Sequence, residues 1–391
     1  MHDQGGVVIV ARQFTPYALA LGLGAAVVGV LAVPGPDAET RATLAAGESP
    51  LPVANVVPRP DAGALRASHT RTRADARRMP VTLAFAGDVH FEGVVRRQLD
   101  ADTNRPLDQV AGLLRSADLT IANLETAVTI RGTPESKQYV FRAPAKAFDA
   151  LSAAGVDVVT LANNHGLDYG QVGLSDTLAA GRAAHVAVVG AGRDETAAFA
   201  PFVANIRGQR IAVIGATQVL DDKLASRWSA GPGKPGLASA KHERVLIDAV
   251  RKARSLYDTV VVYLHWGREL SNCPIPAQRD IAAKLAAAGA DLVVGSHAHV
   301  TLGAGYLASG RRRTYVDYGL GNFLFYTSGN DATSHAGILT VTLSGHGVSS
   351  AQWHPTFIAD GRTYAVAPNA SGQAVRDHDA QRGCTGLSAT P

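Results

Sequence analysis

Cysteine is nearly absent. Cys273 and Cys384 are the only two in 391 residues, which excludes a disulfide framework and a Cys-rich structural zinc site. They can pair with each other only if the chain is exported and their Cα atoms come within bridging distance. Charged residues are also few, at 18% against 46% hydrophobic, so disorder is not the default and the length suffices to bury a full core. The formal net charge of +4 is accounted for by one stretch, where Arg59, Arg66, Arg71, Arg73, Arg77 and Arg78 outweigh Asp61 and Asp75. The remainder is near neutral, which argues against nucleic acid as a partner, since proteins that bind it concentrate cations on the folded surface. The chain has no Gly-x-Ser-x-Gly elbow and no P-loop Gly-Lys-Ser/Thr. Serine-hydrolase and P-loop NTPase chemistry therefore drop out, and ATP-driven ligation would need a partner. No internal repeat is visible.

An uncharged apolar segment runs from Tyr17 to Val33, with Arg12 before it. It reads as an export or membrane signal, intermediate in length between a secretory apolar core and a full span. No small-x-small cleavage site follows directly, and Val33-Pro34-Gly35-Pro36 comes next. An uncleaved anchor over residues 1–33 is therefore favoured, with a cleaved signal as the alternative. The first reading places the protein at the cell membrane with its main domain extracytoplasmic; the second makes it secreted. Residues 34–79, rich in Ala, Pro, Arg and Thr, are expected to form a flexible tether whose basic arm suits a membrane surface. The folded domain is expected over 80–367, and the polar segment 368–391 is expected to be disordered.

Within the domain, apolar runs end repeatedly in polar clusters. Val81–Ala86 leads into Gly87-Asp88, Leu119–Ala122 into Asn123-Leu124-Glu125, and Val158–Ala162 into Asn163-Asn164-His165. Thr259–Leu264 leads into His265-Trp266-Gly267, and Leu292–Val294 into Gly295-Ser296-His297-Ala298-His299. Between them lie helical patterns at Ala145–Ala154, Leu174–Ala184, Lys241–Leu256 and Ala277–Ala288. Alternating strands and helices predict an α/β domain whose sheets are covered by helices, with ligands gathered at the strand ends. The later runs Tyr315–Tyr318, Gly337–Leu343 and Val348–Pro355 alternate and lack long helices, so an antiparallel second sheet or its edge is expected there.

Those strand ends carry metal-capable side chains. Asp88 and His90 lie two residues apart after a strand, so an extended backbone points both to one side. Glu125, Asn164, His265, His297 and His299 each follow another strand. A lone histidine after a strand is more often a hydrogen-bonded turn residue than a ligand. Here, however, His90, His165, His265, His297 and His299, out of thirteen histidines, share this placement. Metal-assisted phosphoester hydrolysis commonly uses two ions about 3.5–4 Å apart and a protonated group for the leaving oxygen. Two divalent ions are expected on that chemistry, and the mixed donor set does not name the metal, leaving Mn, Zn and Fe open.

In order, Ala86-Gly87-Asp88-Val89-His90, Ala122-Asn123-Leu124-Glu125-Thr126, Ala162-Asn163-Asn164-His165 with Asp168-Tyr169-Gly170, His265-Trp266-Gly267 with Glu269, Gly295-Ser296-His297-Ala298-His299 and Tyr318-Gly319-Leu320-Gly321-Asn322-Phe323 resemble the signature blocks of the CapA-type poly-γ-glutamate capsule biosynthesis family. That family is similar to the calcineurin-like metallophosphoesterases. The resemblance implies a layered α/β sandwich of two mixed β-sheets flanked by helices. It implies Asp88, His90, Asn164, His265, His297 and His299 as metal ligands, Glu125 in the place of the bridging acid, and His165 as the acid facing the leaving group, so that Asp88 and His165 form the catalytic pair. The second block departs from the usual Gly-Asp pair, and the third has Ala-Asn-Asn-His where Gly-Asn-His is usual.

Lys137, Arg142 and Arg268 stand near these blocks and suit an anionic substrate, since Arg forks bind carboxylate or phosphate through paired hydrogen bonds. Trp266 and Tyr318 either wall the pocket or belong to the core. The favoured reading is a membrane-associated metal-dependent hydrolase or transferase in the synthesis, export or anchoring of an anionic surface polymer such as poly-γ-glutamate, working beside other capsule biosynthesis membrane proteins. A metallophosphatase acting on small phosphoesters and a non-catalytic polymer-binding scaffold are the alternatives.

Overall fold

The computed structural model describes residues 79–391 except 311, 328–330 and 345–346. The expected anchor over 1–33 and the tether up to residue 78 lie outside the described residues. Among the described residues, no helix is long and apolar enough to cross a membrane.

Val81–Val89 (β1) is apolar on both faces because both faces are covered. Val81, Leu83 and Phe85 point into a core shared with a second sheet, while Ala84 and Ala86 point into a core under helices. Beside β1 run Leu119–Leu124 (β2), Val158–Thr160 (β3) and Ala187–Val189 (β4), all parallel. The second sheet begins with the hairpin Phe202–Ile206 (β5) and Gln209–Thr217 (β6). It continues through Thr259–His265 (β7), Leu292–Ser296 (β8), Thr301–Ser309 (β9) and Arg312–Leu320 (β10), in the order β9-β10-β8-β7-β6-β5. In it, β6, β7, β8 and β10 are parallel. The chain then returns to the first sheet. Asn322–Leu324 (β11) pairs parallel with β1 on the side opposite β2, and His335–Leu343 (β12), Val348–Ala359 (β13) and Arg362–Ala365 (β14) extend the sheet antiparallel on that same side.

The expected layered sandwich of two mixed sheets flanked by helices is what the structure shows. Lys146–Ala154 (α2) and Gly93–Ala101 (α1) cover the first sheet. Glu243–Leu256 (α4) and Pro276–Ala288 (α5) cover the second, and Gly170–Ala183 (α3) lies between β3 and β4 in the chain. The sheets are tied across their shared core by Tyr263, whose hydroxyl donates to the Ala86 carbonyl at 2.8 Å.

Two expectations are corrected. The late runs do not share one sheet: the strand containing Tyr315–Tyr318 lies in the second sheet, antiparallel to its edge strand β9 as expected, while those containing Gly337–Leu343 and Val348–Pro355 extend the first sheet antiparallel. A short run alternates equally well wherever one of its faces is covered, so its pattern does not name its neighbour. The segment 368–391 is not disordered. Pro368–Ala380 (α6) opens with proline in its first turn, and His378 stacks on Trp353 with ring centroids 4.0 Å apart. Cys384 is bonded to Cys273, and Ser388 exchanges backbone hydrogen bonds of 2.8 and 3.0 Å with Tyr306. A few buried contacts and one covalent tie thus order a segment whose composition is polar.

Candidate metal centre

Parallel strands present their carboxyl ends at one edge, and the polar clusters sit there. The approach of β1 to Gly321 sets the first ligand. Asp88 N donates to Gly321 O at 3.0 Å, and a Cβ on Gly87 would stand 1.9 Å from that same oxygen. Only glycine permits the two backbones to come this close. Asp88 and Glu125 are both fully buried. Asn123 donates to Asp88 Oδ1 at 2.7 Å and its amide lies 3.2 Å from His265 Nδ1. Asn163 in turn donates to Asn123 Oδ1 at 3.0 Å and to Leu124 O at 2.8 Å. The backbone N–H of His297 donates to Asp88 Oδ2 at 3.1 Å.

Two groups of donors form around Glu125, each with ligand atoms mutually within 4.8 Å: Glu125, His265 and His297, and Asp88, Glu125 and His299. Glu125 belongs to both. Asn164 Oδ1 lies 2.8 Å from His265 Nε2, which adds it to the first group. Both Glu125 carboxylate oxygens and His297 Nδ1 are buried without a hydrogen-bond partner. Unpaired buried polar atoms of this kind are costly, and a small cation is the species that relieves carboxylate and imidazole together. The residues present therefore fit one or two divalent ions. Burial pushes the Glu125 carboxyl well above its ordinary range, and the Asp88 charge adds to this. Burial likewise raises Asp88 and holds His265 well below 6.5. His297 is lowered to about 3, first by burial and then by His299 and His165. Neutral imidazoles are the form that ligates metal.

His165 stands at the rim of these groups. Its Nδ1 lies 2.6 Å from Asp168 Oδ2, and a carboxylate only accepts, so Nδ1 carries the hydrogen. Nε2 faces Glu125 Oε1 at 3.9 Å. The His165 ring stacks on Phe141 with centroids 4.0 Å apart.

The structure does not bring every expected residue to the donor groups. His90 lies outside both. Its ring packs among Phe141, Phe325 and Tyr326, and its Nδ1 accepts from Glu92 N at 2.9 Å. Trp266, expected at the substrate, is fully buried, donates from Nε1 to Tyr318 O at 2.9 Å and fills the space over Gly295. It belongs to the core. Lys137, also expected at the substrate, donates to Asp168 Oδ1 at 2.9 Å and to the Asn164 carbonyl, and its ammonium sits over the Trp228 ring. Its hydrogen bonds are therefore made inside the protein. Arg142 is half-buried, with its guanidinium 4.6 Å from the Tyr169 ring centroid. Arg268 is exposed.

Asp168, Asn123, Asn163 and Ser296 were not singled out by sequence as supporting groups. Asn322 Oδ1 lies 2.8 Å from His299 Nδ1, and Ser296 Oγ lies 3.2 Å from His265 Nδ1. A usable signal existed for Asp168, three residues after His165 in a Gly-terminated turn. None existed for Asn123, whose partners come from strands far away in the chain.

Residues 82–327 match a family model described as bacterial capsule synthesis protein PGA_cap. The capsule biosynthesis protein CapA of Bacillus anthracis is 31% identical over 257 residues, covering 63% of this chain and 60% of that protein. The PGA biosynthesis protein CapA of Bacillus subtilis (strain 168) is 31% identical over 251 residues, covering 63% of each. A probable polyglutamine synthesis accessory protein of Mycobacterium tuberculosis is 30% identical over 213 residues, covering 52% of this chain and 56% of that protein. The chain thus spans less than two thirds of the length of each of these relatives.

Proposed function

The chain belongs to the bacterial capsule synthesis protein family PGA_cap, and from that premise we propose that it is a metal-dependent hydrolase or transferase acting on an anionic surface polymer such as poly-γ-glutamate. The observation that carries this reading is Glu125, shared by two donor groups with both carboxylate oxygens unpartnered, beside a histidine oriented by a carboxylate. The proposal includes a folded region from residue 80 to the disulfide-tied C-terminus, and an extracytoplasmic location at the cell membrane through the segment before residue 34, or a secreted form if that segment is cleaved. Two observations favour that compartment: the bond between Cys273 and Cys384, which persists in oxidising surroundings, and the relatives named for capsule and polyglutamine synthesis.

Asp88, Glu125 and His299 would hold one divalent ion, and Glu125, Asn164, His265 and His297 a second. His90 enters only if its ring leaves the aromatic cluster. Such ions, when bound, supply positive charge for the developing oxyanion and lower the pKa of water. The chain does the rest. Asp168 fixes the His165 ring and its Nδ1–H, leaving Nε2 to carry a proton toward the leaving group. Lys137 neutralises Asp168 on its far side, and exposed Arg268 meets an approaching anion.

The test is metal content by elemental analysis on the purified full chain, followed by hydrolysis of poly-γ-glutamate and of an aryl phosphate. Wild type is expected to hold about two equivalents and to turn over the polymer. His297→Ala should lose the metal. His165→Asn should keep it and lose activity by about 10²–10⁴-fold. A folded, metal-free, inactive wild type would leave the scaffold reading, and turnover of aryl phosphate alone would leave the phosphatase.

A further inference from the structure

Glu269 follows the His265-Trp266-Gly267 cluster by two residues. It lies in the loop between β7 and α5, and its ligand atom falls within 4.8 Å of those of His297 and His299, forming a third donor group. Those two histidines come one from each of the groups that share Glu125. Glu269 therefore stands where the two groups meet, apart from buried Glu125 and on the exposed side. Among the described residues its carboxylate makes no hydrogen bond and no ion pair. His297 offers the complementary vacancy: its ring is buried and its Nδ1 is unpartnered.

The loop is not free to carry Glu269 elsewhere. Leu270 N donates to Ala298 O at 2.8 Å, fastening it to the turn between His297 and His299. Leu270 takes a left-handed φ of 57°, beside His297 at 98° and His299 at 59°, a conformation that side-chain-bearing residues rarely adopt and that persists only when the surroundings enforce it. Ser271 Oγ donates to Cys273 O at 2.9 Å, and the disulfide binds Cys273 to Cys384.

We propose that Glu269 is a further metal ligand, closing the solvent side of the centre together with His297 and His299. The inference rests on the metal-centre reading above. A carboxylate here puts a third negative donor on ions otherwise served by Asp88 and Glu125, and raises their affinity from the face that an anionic substrate must approach.

The experiment is equilibrium dialysis of the full chain against Mn²⁺, with electronic absorption spectra of the Co²⁺-loaded protein, for wild type, Glu269→Gln and His297→Ala. Glu269→Gln is expected to weaken Mn²⁺ binding by about tenfold and to change the Co²⁺ ligand-field bands. Its melting temperature without metal should match wild type, since the side chain is exposed. If Glu269→Gln matches wild type in both readouts while His297→Ala loses metal, this inference falls and the centre stands. If wild type binds neither ion, or His297→Ala binds as wild type does, the centre falls and this inference with it.

Discussion

His165 is held between opposed influences. Burial, the stronger, pushes its pKa below 6.5, while Asp168 raises it through a hydrogen bond and its charge, and Lys137 lowers it. A proton donor must hold its proton near the working pH, so Asp168 is the residue that keeps His165 useful as an acid. Asp168→Asn removes the raising influence and lowers the His165 pKa further. The protonated form then persists only to lower pH. The expected outcome is a fall in kcat of about 10²-fold and a shift of the alkaline limb of the kcat profile to lower pH, read from initial rates between pH 4 and 9 with metal content checked alongside. A uniform loss with an unmoved limb would mean that Asp168 only shapes the loop. His165 itself was legible in the sequence because Asn-His after an apolar run is a local pattern. Asp168's grip on it was not, since the motif does not say which ring nitrogen the carboxylate meets.

At the scale of elements, the strands β1, β2, β3, β7 and β8 behave as their apolar runs predicted. A strand buried on both faces writes an unbroken apolar run into the chain. The hairpin β5–β6 and helix α1 were not foreseen. Helix α6 shows why composition alone misjudges order. Its His378 is buried against Trp353, and burial lowers its pKa to about 4, with Arg382 lowering and Asp379 raising it. The sign follows from which state takes the proton. Between about 6.5 and 4 the unfolded chain protonates this histidine and the folded chain does not, so stability falls as pH drops through that window and is fully present above it. The loss amounts to about 3 kcal/mol. Replacing His378 by Phe keeps a ring on Trp353 and removes the titration. Chemical denaturation at pH 7 and pH 4.5 should show a smaller acid loss in His378→Phe than in wild type, and an equal loss in both would refute this account.

Over the whole molecule, one covalent link joins the C-terminal segment to the loop that follows β7, closing 111 residues of chain. Restricting so long a loop in the unfolded state contributes about 2–4 kcal/mol. Cys273→Ser with Cys384→Ser is expected to lower denaturant stability by that amount and to loosen the segment after residue 380, seen as faster amide exchange there. Unchanged stability would show that the bond adds nothing to packing already in place. By itself the sequence determined the alternation of strands and helices and the gathering of polar, metal-capable residues at strand ends, because each is written in local patterns of apolar runs and adjacent polar residues; the sandwich class came with the family resemblance. Tertiary structure alone decided that Glu125 is shared by two donor groups, that His90 turns into an aromatic cluster, that Lys137 and Trp266 serve the interior, and that the cysteines meet. Each of these depends on residues far apart in the chain being brought within a few ångströms, and a local pattern carries no record of which distant neighbour arrives.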